Sequence, residues 1–235
     1  MEQLTTVAVS AAERAAGALP PEKLAAALEA LRADGIVCLG QAIDPRCIDR
    51  LREAMHADMR ADDQPEKVLS TMRPGSWGSL RPPPRRPHLF REIVYNEPGV
   101  AVSCEYLGDD SAPTLTTYGA NSSYPGAAEP QNTHRDCPAD EPRGDACPGL
   151  VVNVPLQDFT IQNGATQVFL GSHLLPGPPA QVAALGREAR TIARQGDLLL
   201  RDLRLAVSAA RLVHLARPSR SHKTSCCTAR GHAEQ

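Results

Sequence analysis

Apolar positions near the N-terminus recur with the spacing of a helix. They follow the Pro20-Pro21 pair at every third or fourth residue and are Leu24, Ala27, Leu28 and Leu31. Proline is favoured in the first turn of a helix and glycine just after its last turn, so the helix is expected to end at Gly35. The apolar run over residues 36–39 then predicts a short strand.

A second helix is predicted directly after this strand. Asp44 has the short polar side chain of an N-cap, and Pro45 suits the first helical position. The buried face of this helix is expected to consist of Ile48, Leu51, Met55 and Met59. From Pro74 to Pro87 the chain is rich in proline, arginine and glycine and predicts a loop, either a lid that carries Trp77 or a solvated linker.

Beyond Tyr95 the pattern changes to short apolar runs separated by turn residues such as Asn163-Gly164 and Gln195-Gly196. The predicted strands are residues 100–107, 114–118, 150–155, 166–170, 189–193 and 197–200. Helices followed by many short strands favour an α+β fold. We expect N-terminal helices packed on a double-stranded β-helix, a jelly roll of the cupin kind.

Composition narrows the range of functions. The 235 residues are 42% hydrophobic and carry a formal charge of −2, which gives no reason to expect a nucleic-acid partner. No apolar run approaches the roughly 20 residues of a membrane span, and no secretory signal is visible. The seven cysteines are odd in number and form no CxxC pair, so we expect free thiols in a reducing, cytoplasmic compartment.

His134 and Asp136 form the most informative pair of polar residues. Two residues apart on extended backbone, their side chains point to the same side and could ligate one metal ion. With a second, distant imidazole they would complete the two-histidine, one-carboxylate face that holds iron(II). His56 and Asp58 show the same spacing but fall in the second predicted helix, where they project apart. Spacing alone also allows His134 and Asp136 to be ordinary turn residues.

The surrounding motifs strengthen the metal interpretation. The runs Asn153 to Phe159 and Asn163 to His173, together with Gly196 to Asp202, resemble the core of the phytanoyl-CoA dioxygenase family, and residues 31–39 resemble its N-terminal element. The resemblance covers about residues 24–205. It implies a dioxygenase that depends on iron(II) and 2-oxoglutarate.

Site residues follow from this resemblance by position. It implies that His134 and Asp136 are iron ligands, and that Gln131 and Thr166 contact 2-oxoglutarate. His173, in the Gly-Ser-His turn, is expected to be structural. Without the resemblance, Gln131 would be an ordinary loop amide and Thr166 an ordinary strand residue.

The resemblance ends after Leu205, where the family continues with a Trp-His-like step and an arginine about ten residues later. Here residues 206–210 read Ala-Val-Ser-Ala-Ala, and no final apolar strand is expected. We therefore divide the chain into an oxygenase domain over residues 1–205 and a divergent tail over 206–235. The helical part would be about 20–62 and the jelly roll about 95–205. A frame shift or alternative splice is one hypothesis for the tail, and a Trp-His codon pair after Leu205 in another frame would support it.

Substitutes for the missing groups exist in the tail. His214 is a candidate third iron ligand and Arg217 a candidate contact for 2-oxoglutarate, whereas His222 and His232 are expected to be disordered. The expected function is oxidation of a small organic substrate, by hydroxylation or desaturation, in natural-product biosynthesis. The expected partners are this substrate, 2-oxoglutarate and dioxygen, with no nucleic acid or membrane. The alternatives are an inactive jelly-roll paralogue or mispredicted gene product, and a cupin-like isomerase or metal sensor.

Overall fold

The computed structural model describes residues 1–61, 77–80, 88–108, 114–123, 132–137, 147, 149–208 and 223–228, with side chains in all of these except 56–61, 77–80, 121–123 and 223–228. The helices are α1 (Ala11–Ala16), α2 (Pro21–Asp34), α3 (Pro45–Ala61), α4 (Arg91–Val94), α5 (Glu97–Leu107) and α6 (Pro179–Leu185), with a 3-10 turn at Ser172–Leu174. The strands are β1 (Thr6–Ala8), β2 (Ile36–Gly40), β3 (Trp77–Leu80), β4 (Thr117–Ser123), β5 (Leu150–Pro155), β6 (Gln167–Leu170), β7 (Arg187–Arg190), β8 (Leu198–Asp202), β9 (Val207–Ser208) and β10 (Lys223–Thr228).

Both predicted N-terminal helices are confirmed. Helix α2 ends where Gly35 adopts a left-handed conformation, with φ 76°, and its N–H donates to the Leu31 carbonyl at 3.0 Å. A Cβ at this position would also lie 2.6 Å from Nδ1 of His173, so glycine is required by backbone and space alike. At the start of α3, the Arg46 N–H donates to Oδ1 of Asp44 at 2.9 Å, which confirms Asp44 as the N-cap.

Helix α3 buries the predicted face. Ile48 and Leu51 are fully buried and Met55 is 5% exposed, whereas the side chain of Met59 lies outside the described residues. His56 and Asp58 fall within α3, as predicted, and at 100° per residue their backbone positions point in different directions. This pair therefore does not share the geometry expected of His134 and Asp136.

The strands form two sheets. The larger has the order β1-β2-β8-β5-β10-β4-β3, and the smaller the order β7-β6-β9. Strand β5 has the predicted bounds, and β2, β6 and β8 agree with prediction to within two residues. The helices and mixed sheets confirm the α+β class.

The predicted strand over residues 100–107 is wrong, because this segment is part of helix α5. The Asn96 side chain accepts a hydrogen bond from the Gly99 N–H at 3.0 Å, Pro98 lies in the first turn, and Gly108 caps the end in a left-handed conformation. These capping groups override the strand preference of the two valines in the run, Val100 and Val102. The run Asn96-Glu97-Pro98 is itself a helix start signal in the sequence.

Three further predictions need correction. Trp77 lies in strand β3, not in a loop, because residues 77–80 pair with β4. Strand β10 was not predicted, since the sequence has no final apolar strand, but Lys223–Thr228, which has little apolar character, pairs with both β4 and β5. The strands predicted over 114–118 and 189–193 are displaced to Thr117–Ser123 and Arg187–Arg190, because partner register sets their ends. The rest of the predicted loop, including residues 81–86, lies outside the described residues.

Two apolar clusters organise the described part of the chain. The larger joins α2, α3 and α5 to one face of the seven-stranded sheet, through residues such as Leu31, Leu51, Val102 and Leu200. The second lies between the two sheets and consists of Ile36, Val168, Leu170, Ala189, Leu205 and Val207. None of the described helices combines the length and the apolar character needed to cross a bilayer.

Candidate metal centre

The segment that carries His134 and Asp136 is held by backbone hydrogen bonds against the chain that follows β8. The N–H of His134 donates to the Val207 carbonyl at 2.9 Å, and the N–H of Val207 returns a bond of 2.9 Å to His134. The N–H of Asp136 donates to the Leu203 carbonyl at 3.0 Å. These bonds fix both residues relative to β9, so their side chains start from a defined backbone.

The two side chains converge. Nε2 of His134 lies 3.6 Å from Oδ1 of Asp136, and each side chain is 32% exposed. With metal–ligand bonds of about 2.1 Å, two ligand atoms on one ion lie about 3.0 Å apart at a right angle and at most about 4.2 Å apart. The observed separation therefore fits a shared metal ion.

The tautomer of His134 also fits a metal ligand. Its Nδ1 lies 2.9 Å from the carbonyl oxygen of Asn132, and a carbonyl only accepts, so Nδ1 carries a proton. In the neutral ring this leaves the Nε2 lone pair free on the side that faces Asp136. A backbone carbonyl that orients the second ring nitrogen is the usual arrangement around metal-binding histidines.

Neighbouring charges shift the pKa values of both side chains. The nearby carboxylate of Asp136 is the main cause that raises the pKa of His134, against the lowering effect of burial. Burial alone would raise the pKa of Asp136, but the charge of Arg201, the hydrogen bond from Arg201 and the nearby ring of His134 hold that pKa well below its usual range. Asp136 is thus ionised, as a carboxyl group that binds a metal must be.

Arg135, between the two residues, anchors the segment from the other side. Its Nη1 donates to the Gly177 carbonyl at 3.1 Å, and its Nη2 to the carbonyls of Ser172 and Leu175, both at 2.9 Å. Because alternate side chains of an extended segment point to opposite sides, this anchor leaves His134 and Asp136 on the other face.

The smaller sheet brings Thr166 to the same face as His134. Val168 pairs with Val207, and Val207 with His134, and paired residues of antiparallel strands share a face. Thr166 is two residues before Val168, and its carbonyl accepts from the Thr191 N–H at 2.9 Å, so it continues the strand on that face. Both residues therefore face the space between the sheets.

The remaining candidates are not brought to the pair by the described residues. His173 is buried, and its Nε2 contacts the Arg32 carbonyl at 3.2 Å beside Gly35, in agreement with the structural role expected of it. Gln131, His214, Arg217, His222 and His232 lie outside the described residues. Within the part of the chain that the structure describes, no third histidine, cysteine or acidic side chain joins His134 and Asp136 in a metal-binding group.

Sequence reasoning missed Arg201, the residue that contacts Asp136. The signal was available, because an arginine in the apolar run from Leu198 to Leu200 must be buried with its charge, and a buried charge needs a partner. The identity of that partner was not readable, since Asp136 is 65 residues away in sequence.

Solved structures share this fold. AviO1 from Streptomyces viridochromogenes superposes with a TM-score of 0.68 at 21% identity, over 89% of this chain and 95% of that one. The epimerase SnoN from nogalamycin biosynthesis, in complex with Fe3+, α-ketoglutarate (2-oxoglutarate) and nogalamycin RO, gives 0.70 at 16% identity, over 91% and 85%. The α-ketoglutarate-dependent carbocyclase SnoK from the same pathway gives 0.68 at 15% identity, over 92% and 85%.

The family model for phytanoyl-CoA dioxygenase (PhyH) matches residues 31–223, most of the chain. The class of protein is therefore that of the iron(II)- and 2-oxoglutarate-dependent dioxygenases. The chain belongs to the phytanoyl-CoA dioxygenase family.

Proposed function

We propose that this chain oxidises a small organic molecule with iron(II) held by His134 and Asp136 and with 2-oxoglutarate as co-substrate. The observation that carries the proposal is the 3.6 Å approach of Nε2 to Oδ1, with Nδ1 of His134 held by a backbone carbonyl. Two sheets that face each other across the second apolar cluster support a double-stranded β-helix, the jelly roll expected from the sequence.

When bound, iron(II) and 2-oxoglutarate supply the activation of dioxygen, and the protein supplies the rest. His134 and Asp136 hold the ion through one nitrogen and one oxygen. The apolar side chains between the sheets exclude water from the inner side of the site. Thr166, on the same face, is the proposed contact for 2-oxoglutarate together with Gln131.

The reaction and substrate class are proposed from the neighbours. An epimerase and a carbocyclase of nogalamycin biosynthesis share the fold, which supports a natural-product intermediate as the substrate. Hydroxylation or desaturation of that intermediate is the proposed outcome. Location in the cytoplasm, inferred from the cysteine pattern, stays a prediction.

The presence or absence of a third ligand determines how tightly the site binds iron(II). His214 and Arg217 stay proposals for the second imidazole and for the arginine that binds 2-oxoglutarate. Two ligands hold iron(II) more weakly than three, so we expect weak iron binding and slow turnover from a chain in which neither group reaches the site. The departure from the family pattern after Leu205 favours a second candidate, a catalytically inactive member that keeps the fold.

Anaerobic calorimetric titration with iron(II) tests the site directly. We expect weak one-to-one binding by the unmodified chain and no detectable binding by His134→Ala or Asp136→Ala, because losing even an outer partner of a metal ligand costs about 10–100-fold in affinity. Glu29→Ala, which removes an exposed carboxylate of α2, is the matched control and should bind as the unmodified chain does. Equal binding by all four proteins would contradict the proposal.

Succinate release from 2-oxoglutarate separates the two candidate functions. Release that depends on His134 and Asp136 supports the dioxygenase. Iron binding without release supports the inactive member. Tight binding with rapid release would show that the chain supplies a third ligand after all.

A further inference from the structure

Arg201 is a buried cation in the space between the two sheets. It lies in β8 opposite Ile36 of β2 and Val151 of β5, both of which are buried. Only 9% of its side chain is exposed. Because Ile36 belongs to the cluster between the sheets and paired residues share a face, Arg201 points towards the smaller sheet, the side on which His134 and Asp136 lie.

The two terminal nitrogens of Arg201 differ in their contacts. Nη2 donates to Oδ2 of Asp136. Nη1 is also buried, but no group among the described residues accepts a hydrogen bond from it. The neighbouring Arg204 contrasts with this, since its Nε and Nη2 both donate to Asp202, at 3.0 and 2.8 Å.

The two oxygens of the Asp136 carboxylate have different partners. Its Oδ1 faces Nε2 of His134, the atom proposed to bind the metal, and its Oδ2 receives Nη2 of Arg201. The guanidinium therefore lies beside the metal pair, and its two terminal nitrogens form a planar fork. An acceptor on Nη1 would lie next to Asp136, between the sheets.

A buried donor without an acceptor costs free energy, and a cationic donor favours an anionic acceptor. The acceptor that the proposed function brings to this place is a carboxylate, that of 2-oxoglutarate. Arginine is suited to hold two carboxylates at once, because each terminal nitrogen has its own donors. Asp136 and a bound acid are such a pair.

We propose that Arg201 joins the metal ligand to the co-substrate: Nη2 orients Asp136 towards the metal, and Nη1 donates to a carboxylate oxygen of 2-oxoglutarate. The inference rests on the proposed function. It assigns a contact with the carboxylate of 2-oxoglutarate to a described residue, independently of the arginine expected in the tail.

Two variants and two titrations test this. Arg201→Lys keeps the positive charge and a donor for Asp136 but loses the fork, and Arg201→Gln loses the charge. Arg187→Gln is the matched control, because Arg187 is also paired with carboxylates, those of Glu2 and Asp34, at the edge of the smaller sheet. Iron(II) is titrated anaerobically first, and 2-oxoglutarate is then titrated into the iron-loaded protein.

We expect Arg201→Lys to bind iron(II) within a few-fold of the unmodified chain and 2-oxoglutarate at least about 10-fold more weakly. Arg201→Gln should lose affinity for both, and Arg187→Gln for neither. Should Arg201→Gln fail to fold, as judged by circular dichroism, Arg201→Lys alone carries the test.

Unchanged affinity for 2-oxoglutarate in Arg201→Lys and in any folded Arg201→Gln would overturn the proposed contact between Arg201 and 2-oxoglutarate. Iron affinity unchanged in a folded Arg201→Gln would overturn the orienting role. An unmodified chain that binds neither iron nor 2-oxoglutarate would instead reject the proposed function, and the inference with it. The three results are distinguishable, because only the last one appears in the unmodified protein.

Discussion

Asp202 is next to Arg201 in β8 but faces the opposite side of the sheet, towards the helices. It is fully buried and accepts hydrogen bonds from Oη of Tyr106 at 2.9 Å and from the backbone and side chain of Arg204 at 2.7 to 3.0 Å. Burial alone would raise the pKa of Asp202, but the bonds from Arg204 lower it below its usual range. The strand thus contributes one buried residue to an ion pair on each face, Arg201 on one and Asp202 on the other.

Replacing Asp202 by asparagine should change how stability depends on pH. A carboxylate whose pKa is lowered by folding adds stability above its unfolded value of about 3.9, and that stability is lost as the pH falls through the lowered pKa. Asp202→Asn leaves Arg204 buried without its anion, so we expect a loss of about 3–5 kcal/mol in the free energy of unfolding at pH 7. The loss should shrink as the pH falls below about 4.

Urea unfolding of both proteins at pH 7 and at pH 3.5 measures this effect. Glu29→Gln, a change of an exposed carboxylate, serves as the control and should follow the unmodified chain at both values. A variant whose deficit is the same at the two pH values would mean that folding does not lower the pKa of Asp202.

Single residues differ in how far the sequence predicts them. The shared direction of His134 and Asp136 follows from spacing on an extended segment, and the structure brings the two side chains together. The roles of Arg201 and Arg135 do not follow from spacing, because their partners lie 65 and at least 37 residues away. Local geometry follows from residues that are neighbours in the sequence, whereas the partner of a side chain depends on the tertiary structure.

Among the elements, helix α5 shows how one side chain decides between helix and strand. Asn96 uses both ends of its amide: Oδ1 accepts from the Gly99 N–H at 3.0 Å, and Nδ2 donates to the Ala42 carbonyl at 2.9 Å. The first bond caps α5, and the second ties it to the chain between β2 and α3. Asn96 is 7% exposed, so neither bond is easily replaced by water.

Two substitutions at Asn96 separate the capping bond with Gly99 from the bond to the Ala42 carbonyl. Asn96→Ala removes both bonds and should lower the free energy of unfolding by about 1–2 kcal/mol. Asn96→Asp keeps a capping acceptor but turns a carboxylate oxygen towards the Ala42 carbonyl, so we expect it to be at least as destabilising. Chemical unfolding monitored by circular dichroism measures both.

The N-cap of α1 provides the comparison for Asn96. Ser10 accepts from the Glu13 N–H at 3.2 Å, but α1 buries no residue, so Ser10→Ala should cost less than Asn96→Ala. Stability of Asn96→Asp equal to that of the unmodified chain would show that the bond to Ala42 contributes nothing.

Strands were predictable where the apolar pattern was continuous and not where pairing alone defines them. Strand β5 has the bounds that its apolar run predicted. Strand β3 lies in a stretch rich in glycine, serine and arginine, and it exists because its backbone pairs with β4. Strand β10 likewise has little apolar character and is defined by its two neighbours.

At the scale of the whole molecule, the α+β class follows from the order of helices and strands, whereas the position of β10 inside the larger sheet does not. Strand β10 lies between β5 and β4, so it connects β4 and β3 to the rest of that sheet. The sequence predicts a boundary at residue 205, with a divergent tail beyond it. The position of β10 makes that boundary testable by deletion.

A chain that ends at Ser208 lacks β10 and leaves β5 without its partner on that side. Unpaired edges of this kind promote association between molecules. We expect this shorter chain to have a lower Tm than the full chain and to form oligomers in size-exclusion chromatography. A chain that ends at Thr228 keeps the strand and should match the full chain in both measurements. If the chain ending at Ser208 is instead as stable and as monodisperse as the full one, the larger sheet does not depend on β10, and the segment after Ser208 is a tail that the fold does not use.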